Sequence, residues 1–171
     1  MKAVLETSEL EIKINRRCFI YRWHIGQSLI SIPTGVRVAM QYEEFVAEVQ
    51  HRARLGSQGD AVRAIRATLA TLAERLPKDE AKHLAAQLPP AIGSYLQASN
   101  GSERFTLNHF FERVATREPA DLADAVHHAR AVISVLNEAV TAGQIKQVRN
   151  TLPDEFNPLF ESGSEGRFGQ T

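Results

Sequence analysis

The segment Leu107-Asn108-His109-Phe110-Phe111-Glu112-Arg113-Val114 restates in residue type an earlier one, Tyr42-Glu43-Glu44-Phe45-Val46-Ala47-Glu48-Val49. Phe45, Val46 and Val49 answer to Phe110, Phe111 and Val114. After a gap of a single residue the same register runs on. Asp60-Ala61-Val62 matches Asp124-Ala125-Val126, Arg66-Ala67 matches Arg130-Ala131, Leu72 matches Leu136, Glu74 matches Glu138, and Leu88-Pro89 matches Leu152-Pro153. Internal repetition at a fixed spacing marks a structural unit used twice.

Within each copy the apolar residues keep a helical period. Val62, Ile65, Leu69, Leu72 and Leu76 recur at spacings of three and four, which places them in one stripe along a helix. Leu122, Val126, Ala129, Ile133, Leu136 and Val140 do the same in the second copy. Helix boundaries are marked by chemistry as well as by period. Thr106 is placed to cap the helix beginning at Leu107, with Phe105 positioned to staple onto Phe110. Thr141 followed by Gln144 has the spacing of a capping box, in which each side chain satisfies a backbone amide left free at the helix start. Pro77, Pro89, Pro119 and Pro153 fall between periodic runs, where a proline can open a helix but not continue one.

These features predict an all-α protein, a compact helical bundle built from two tandem three-to-four-helix repeats, with a poorly structured N-terminal extension and C-terminal tail. The expected division is a single helical domain over residues 40–161, with repeat one at 41–97, a polar linker at 98–105 and repeat two at 106–161. Residues 162–171, rich in Gly and Ser with a lone Phe168, read as a disordered tail. Residues 1–39 lack helical periodicity, and residues 28–38 offer at best a hairpin turning at Thr34-Gly35. Basic residues outnumber acidic ones in this extension, whereas the remainder is mildly acidic. Its expected status is disorder or a mis-assigned start upstream of Met40. Asn15-Arg16-Arg17-Cys18-Phe19-Ile20 resembles the opening of a twin-arginine export signal, but Arg22, Trp23, His24 and Gln27 interrupt the apolar stretch that such a signal requires.

With 171 residues the chain is long enough for one domain with its own core. A formal net charge of zero exerts no general pull toward nucleic acid or anionic lipid. The single cysteine, Cys18, excludes an intramolecular disulfide and any multi-cysteine metal site, so a reducing, cytoplasmic location is expected. No apolar run has the length of a bilayer span.

The paired Phe-Val openings, the Leu-rich second helices and the Gln87-Leu88-Pro89 and Thr151-Leu152-Pro153 turns resemble a bacterial family known as domain of unknown function 2267. The resemblance spans residues 40–161. It implies an all-helical fold and carries over no catalytic residue.

Chemistry-bearing patterns are sparse. Asp121, Asp124 and His128 fall on one helical face by their spacings of three and four, and a carboxylate–imidazole face can bind a divalent metal. The corresponding stretch of the first copy, residues 61–64, contains no histidine, so the expected state of this face is solvated, without a metal or other cofactor. His51, His83 and His109 stand apart from any nucleophile motif. Gly56-Ser57-Gln58-Gly59 lacks the lysine of a phosphate-binding loop. Arg52, Arg54, Arg63 and Arg66 gather near one turn, but Glu43, Glu44, Glu48 and Asp60 lie close enough in sequence to neutralise them. The leading expectation is therefore a non-catalytic helical module that binds an unknown protein partner or a second copy of itself. The alternatives are a metal-dependent enzyme or metal-binding protein using the Asp121, Asp124 and His128 face, and a nucleic-acid-associated protein using the arginines.

Overall fold

A computed structural model of the chain describes residues 40–97 and 101–161. The N-terminal extension, its hairpin and its export-like segment lie outside the described residues, as does the tail at 162–171. Among the described residues the ordered elements are all helical: α1 (Tyr42–Arg52), α2 (Gln58–Arg75), α3 (Lys78–Ala85), α4 (Pro90–Gln97), α5 (Leu107–Arg117), α6 (Leu122–Ala139), α7 (Ala142–Thr151), a single 3-10 turn (Asp154–Phe156) and α8 (Asn157–Glu161). The first helix of each half has 11 residues and the second 18.

The two long helices α2 and α6 lie at the centre and touch one another. Each is flanked by a short helix from its own half and by one from the other. Helix α1 packs on both α2 and α6, while α5 packs on both α6 and α2. Helices α3 and α4 close over one side of the first half, α8 sits on α6, and α7 meets α3. All of these elements contribute to one hydrophobic core containing Phe45, Ile65, Leu69, Leu72, Leu84, Ile92, Phe110, Ile133, Leu136 and Phe156. Phe110 makes edge-on contacts with Phe111 and Phe156 at centroid distances of 5.6 and 6.0 Å, an arrangement that suits the ring quadrupoles.

The helical period predicts most of this core. Ile65, Leu69, Leu72 and Leu76 are fully buried, as are Ala129, Ile133 and Leu136. Leu122 departs from expectation and remains 51% exposed. It is the first residue of α6, at one end of the stripe.

The termini follow local chemistry with one exchange of partners. Thr106 and Thr141 accept hydrogen bonds from the amides of His109 and Gln144, as their spacing predicts. The reciprocal half of the Thr141 capping box is absent. The Gln144 side chain instead donates to buried Glu80 of α3, and Gln87 accepts from the Thr141 amide at 2.9 Å. A tertiary partner thus replaces the local one. The end of α2 is closed from a distance: the amides of Ser102 and Glu103 donate to the carbonyls of Leu76 and Glu74 at 3.0 and 2.7 Å. Gly101 makes this possible with φ +72°, and a Cβ there would meet the Leu76 carbonyl oxygen at 2.5 Å.

Candidate functional site

Charged side chains tie the two halves together in a reciprocal pattern. Arg52, in the last turn of α1, reaches across to α6 and donates to Glu138 at 2.8 and 2.7 Å and to the Ser134 hydroxyl at 2.8 Å. Arg117, in the last turn of α5, reaches to α2, donating to Glu74 and to the Thr71 hydroxyl. Arg113 adds a second bond to Glu74 at 2.8 Å, bonds Glu103 at 2.8 Å, and lays its guanidinium 4.3 Å from the Phe105 ring centroid. Burial opposes ionisation of Glu74, but the bonds from Arg117 and Arg113 outweigh it and hold the carboxyl below its ordinary value. Hydrogen bonding to Glu138 raises Arg52 above the usual guanidinium value, against desolvation. These arginines act as fixed ties.

The arginine group weighed as the alternative nucleic-acid contact is divided, and two of its members make the local ion pairs expected of them. Arg52 is committed to Glu138 and Glu48, Arg63 is paired with Asp60, and Arg54 and Arg66 lie exposed.

A second arrangement is acid–base in character. Helix α5 stops at Glu118, whose amide still bonds the Val114 carbonyl, because Pro119 has no amide to continue the ladder. The chain turns, and α6 starts after Asp121. This reversal brings Glu118 Oε1 into hydrogen-bond contact with His128 Nδ1. The pair is almost sealed from solvent, with side-chain exposures of 5% for Glu118 and 12% for His128. Glu118 Oε2 is buried and has no hydrogen-bond partner among the described residues. Burial pushes the Glu118 carboxyl above its ordinary value, the His128 charge and hydrogen bond and the Arg63 charge oppose that, and Asp124 reinforces it.

The anticipated Asp121, Asp124 and His128 face is consequently split. Asp121 and Asp124 are exposed, whereas His128 is not a solvated residue: it turns inward to Glu118. No group of three or more metal-ligating side chains forms among the described residues. His127 stays exposed with its ring 6.0 Å from that of His128, and His51, His83 and His109 lie at the surface. Sequence reasoning passed over Glu118. Its one signal is a carboxylate directly before a proline at a helix end, which says nothing about a partner ten residues on.

A recess lies elsewhere, between α7 and the turn into α8. It has a volume of about 490 Å³, and its lining includes Ile145, Lys146, Arg149, Asn150, Leu152 and Asn157. Arg149 is held in place by the Asn157 side-chain oxygen, at 3.3 Å from Nε and 3.2 Å from Nη2, and by Glu161 at 3.5 Å.

A family model described as uncharacterized conserved protein, DUF2267, matches residues 42–159. The chain belongs to this family. The DUF2267 match begins at the first residue of α1 and ends within α8, so it takes in the reciprocal arginine ties, the Glu118–His128 pair and the recess. No curated protein matches the chain. Among the described helices of this DUF2267 protein, none is long and apolar enough to cross a membrane.

Proposed function

We propose that the chain is a non-catalytic helical interaction module which receives a segment of a protein partner in the recess between α7 and α8. The observation that carries this reading is the separation of docking chemistry from acid–base chemistry. The recess offers apolar Ile145 and Leu152 beside cationic Lys146 and Arg149 and two amides, a mixture suited to a peptide bearing carboxylates and an apolar anchor. The acid–base pair is nearly buried, with Glu118 and His128 only 5% and 12% exposed, and neither residue lines the recess.

The same reading takes the module to be a duplicated unit, residues 41–97 and 106–161 joined by 98–105, acting in the cytoplasm. The matching helix lengths and the reciprocal ties from α1 to α6 and from α5 to α2 support the duplication.

A photo-cross-linking amino acid replacing Lys146 in the full chain, expressed in cells, tests the site. The expected result is one or a few discrete protein adducts, absent when the same amino acid replaces exposed Arg66 on α2. Identical adducts from both positions, or none from either, would overturn the assignment. Asn150→Arg in the Lys146-labelled protein should also suppress the adducts, since it fills the recess without touching the core.

A further inference from the structure

The Glu118–His128 pair joins the end of α5 to α6 through a nearly buried side-chain contact. Glu118 closes α5, and His128 stands two turns into α6. Their contact therefore fixes how the end of one helix meets the start of the next. With one proton held between them the pair is neutral overall, either as carboxylate and imidazolium or as carboxylic acid and imidazole. When that proton leaves to solvent, a net negative charge remains at a site almost without water contact, with Oε2 unsatisfied.

The surrounding charges only partly offset that charge. From α2, Arg63 faces the carboxylate, but it is itself paired with Asp60. From α6, Asp124 adds repulsion, and His127 stands beside His128. Arg117, the neighbour of Glu118 on α5, is committed to Glu74 and Thr71, while Arg52 from α1 is committed to Glu138 and Glu48. Asp121 is exposed at the start of α6. No uncommitted cation from a packed element replaces the lost proton among these groups.

The geometry points to a proton-dependent latch: Glu118 and His128 hold the α5–α6 turn closed while they share a proton, and loss of that proton releases the turn. The sign follows from linkage. A carboxyl displaced upward by burial contributes its stability at lower pH and loses it as pH rises through its folded value. Release therefore comes as the pH rises above the ordinary carboxylate range, in the direction opposite to ordinary acid denaturation.

Hydrogen–deuterium exchange on the full chain tests this, with rates corrected for intrinsic pH dependence. Protection of amides in residues 115–128 should be lost progressively as the pH rises from the ordinary carboxylate range. Amides in the centre of α2 should not change. Glu118→Gln, which keeps the shape and removes the titrating carboxyl, should flatten the dependence. His128→Gln provides a second variant in case the first does not fold. Unchanged protection in the wild-type chain, protection that rises with pH, or a folded Glu118→Gln protein with the wild-type profile would each overturn the latch.

Discussion

Replacing Gly101 by Ala probes how the two halves are joined. Gly101 has φ +72°, where an L-residue costs about 1–2 kcal/mol. The added Cβ would lie 2.5 Å from the Leu76 carbonyl oxygen and 3.3 Å from the Lys78 amide nitrogen. Both are backbone atoms at a helix junction, so neither can swing aside as a flexible side chain would. Residues 101–103 must lift, which removes the hydrogen bonds to Leu76 and Glu74, each contributing about 1 kcal/mol net. The effects overlap because relief of the clash is what breaks the bonds. The expected loss is about 2–4 kcal/mol, read as a lower urea midpoint and a melting temperature lower by roughly 5–15 °C. Gly143→Ala is the control. A Cβ there meets nothing within 4 Å, and its place in α7 predicts a gain of about 0.5–1 kcal/mol. A Gly101→Ala protein within about 0.5 kcal/mol of wild type would mean that residues 101–103 do not close α2.

Leu72→Ala and Leu136→Ala should each cost about 2–5 kcal/mol in urea denaturation, and each should shift one common transition, since both fully buried residues belong to the same core. Two separable transitions would contradict that sharing. Thr68 carries a fully buried hydroxyl with no hydrogen-bond partner among the described residues, so the near-isosteric Thr68→Val should stabilise the protein by about 1 kcal/mol, measured in the same way. Glu74→Gln should lower stability at neutral pH and reduce the loss of stability on acidification. A carboxyl held below 4.5 contributes above its unfolded value and loses that contribution as pH falls through the folded one, so the mutant and wild-type curves should converge in acid.

What the sequence discloses is what depends on neighbours along the chain. Ile65, Leu69 and Leu72 announce their burial by spacing, and Thr106 announces its cap, because the atoms concerned are only a few residues apart. Leu122 shows the limit of the same reasoning: a period gives the angle around a helix and not the extent of whatever packs on it. Gln144 shows another limit, since a local cap and Glu80 compete for one amide group and only the tertiary structure reveals the second competitor. Arg52 and Glu138 stand 86 residues apart, and no spacing rule connects them. Glu118 and His128 are near in sequence, yet their contact depends on how tightly the turn at Pro119 reverses the chain.

The packing of each first helix against both halves has a temporal side during synthesis. Helix α1 leaves the ribosome long before α6, one of the two surfaces on which it packs. Glu138 follows Arg52 by 86 residues, a delay of about 4–17 s at ordinary elongation rates. During that interval the nascent first half carries a side of α1 that awaits a surface not yet translated, and Arg52 remains hydrated without its α6 carboxylate. A chain truncated before α6 would retain this state permanently, which makes the first half a segment for chaperones to hold and for proteases to find.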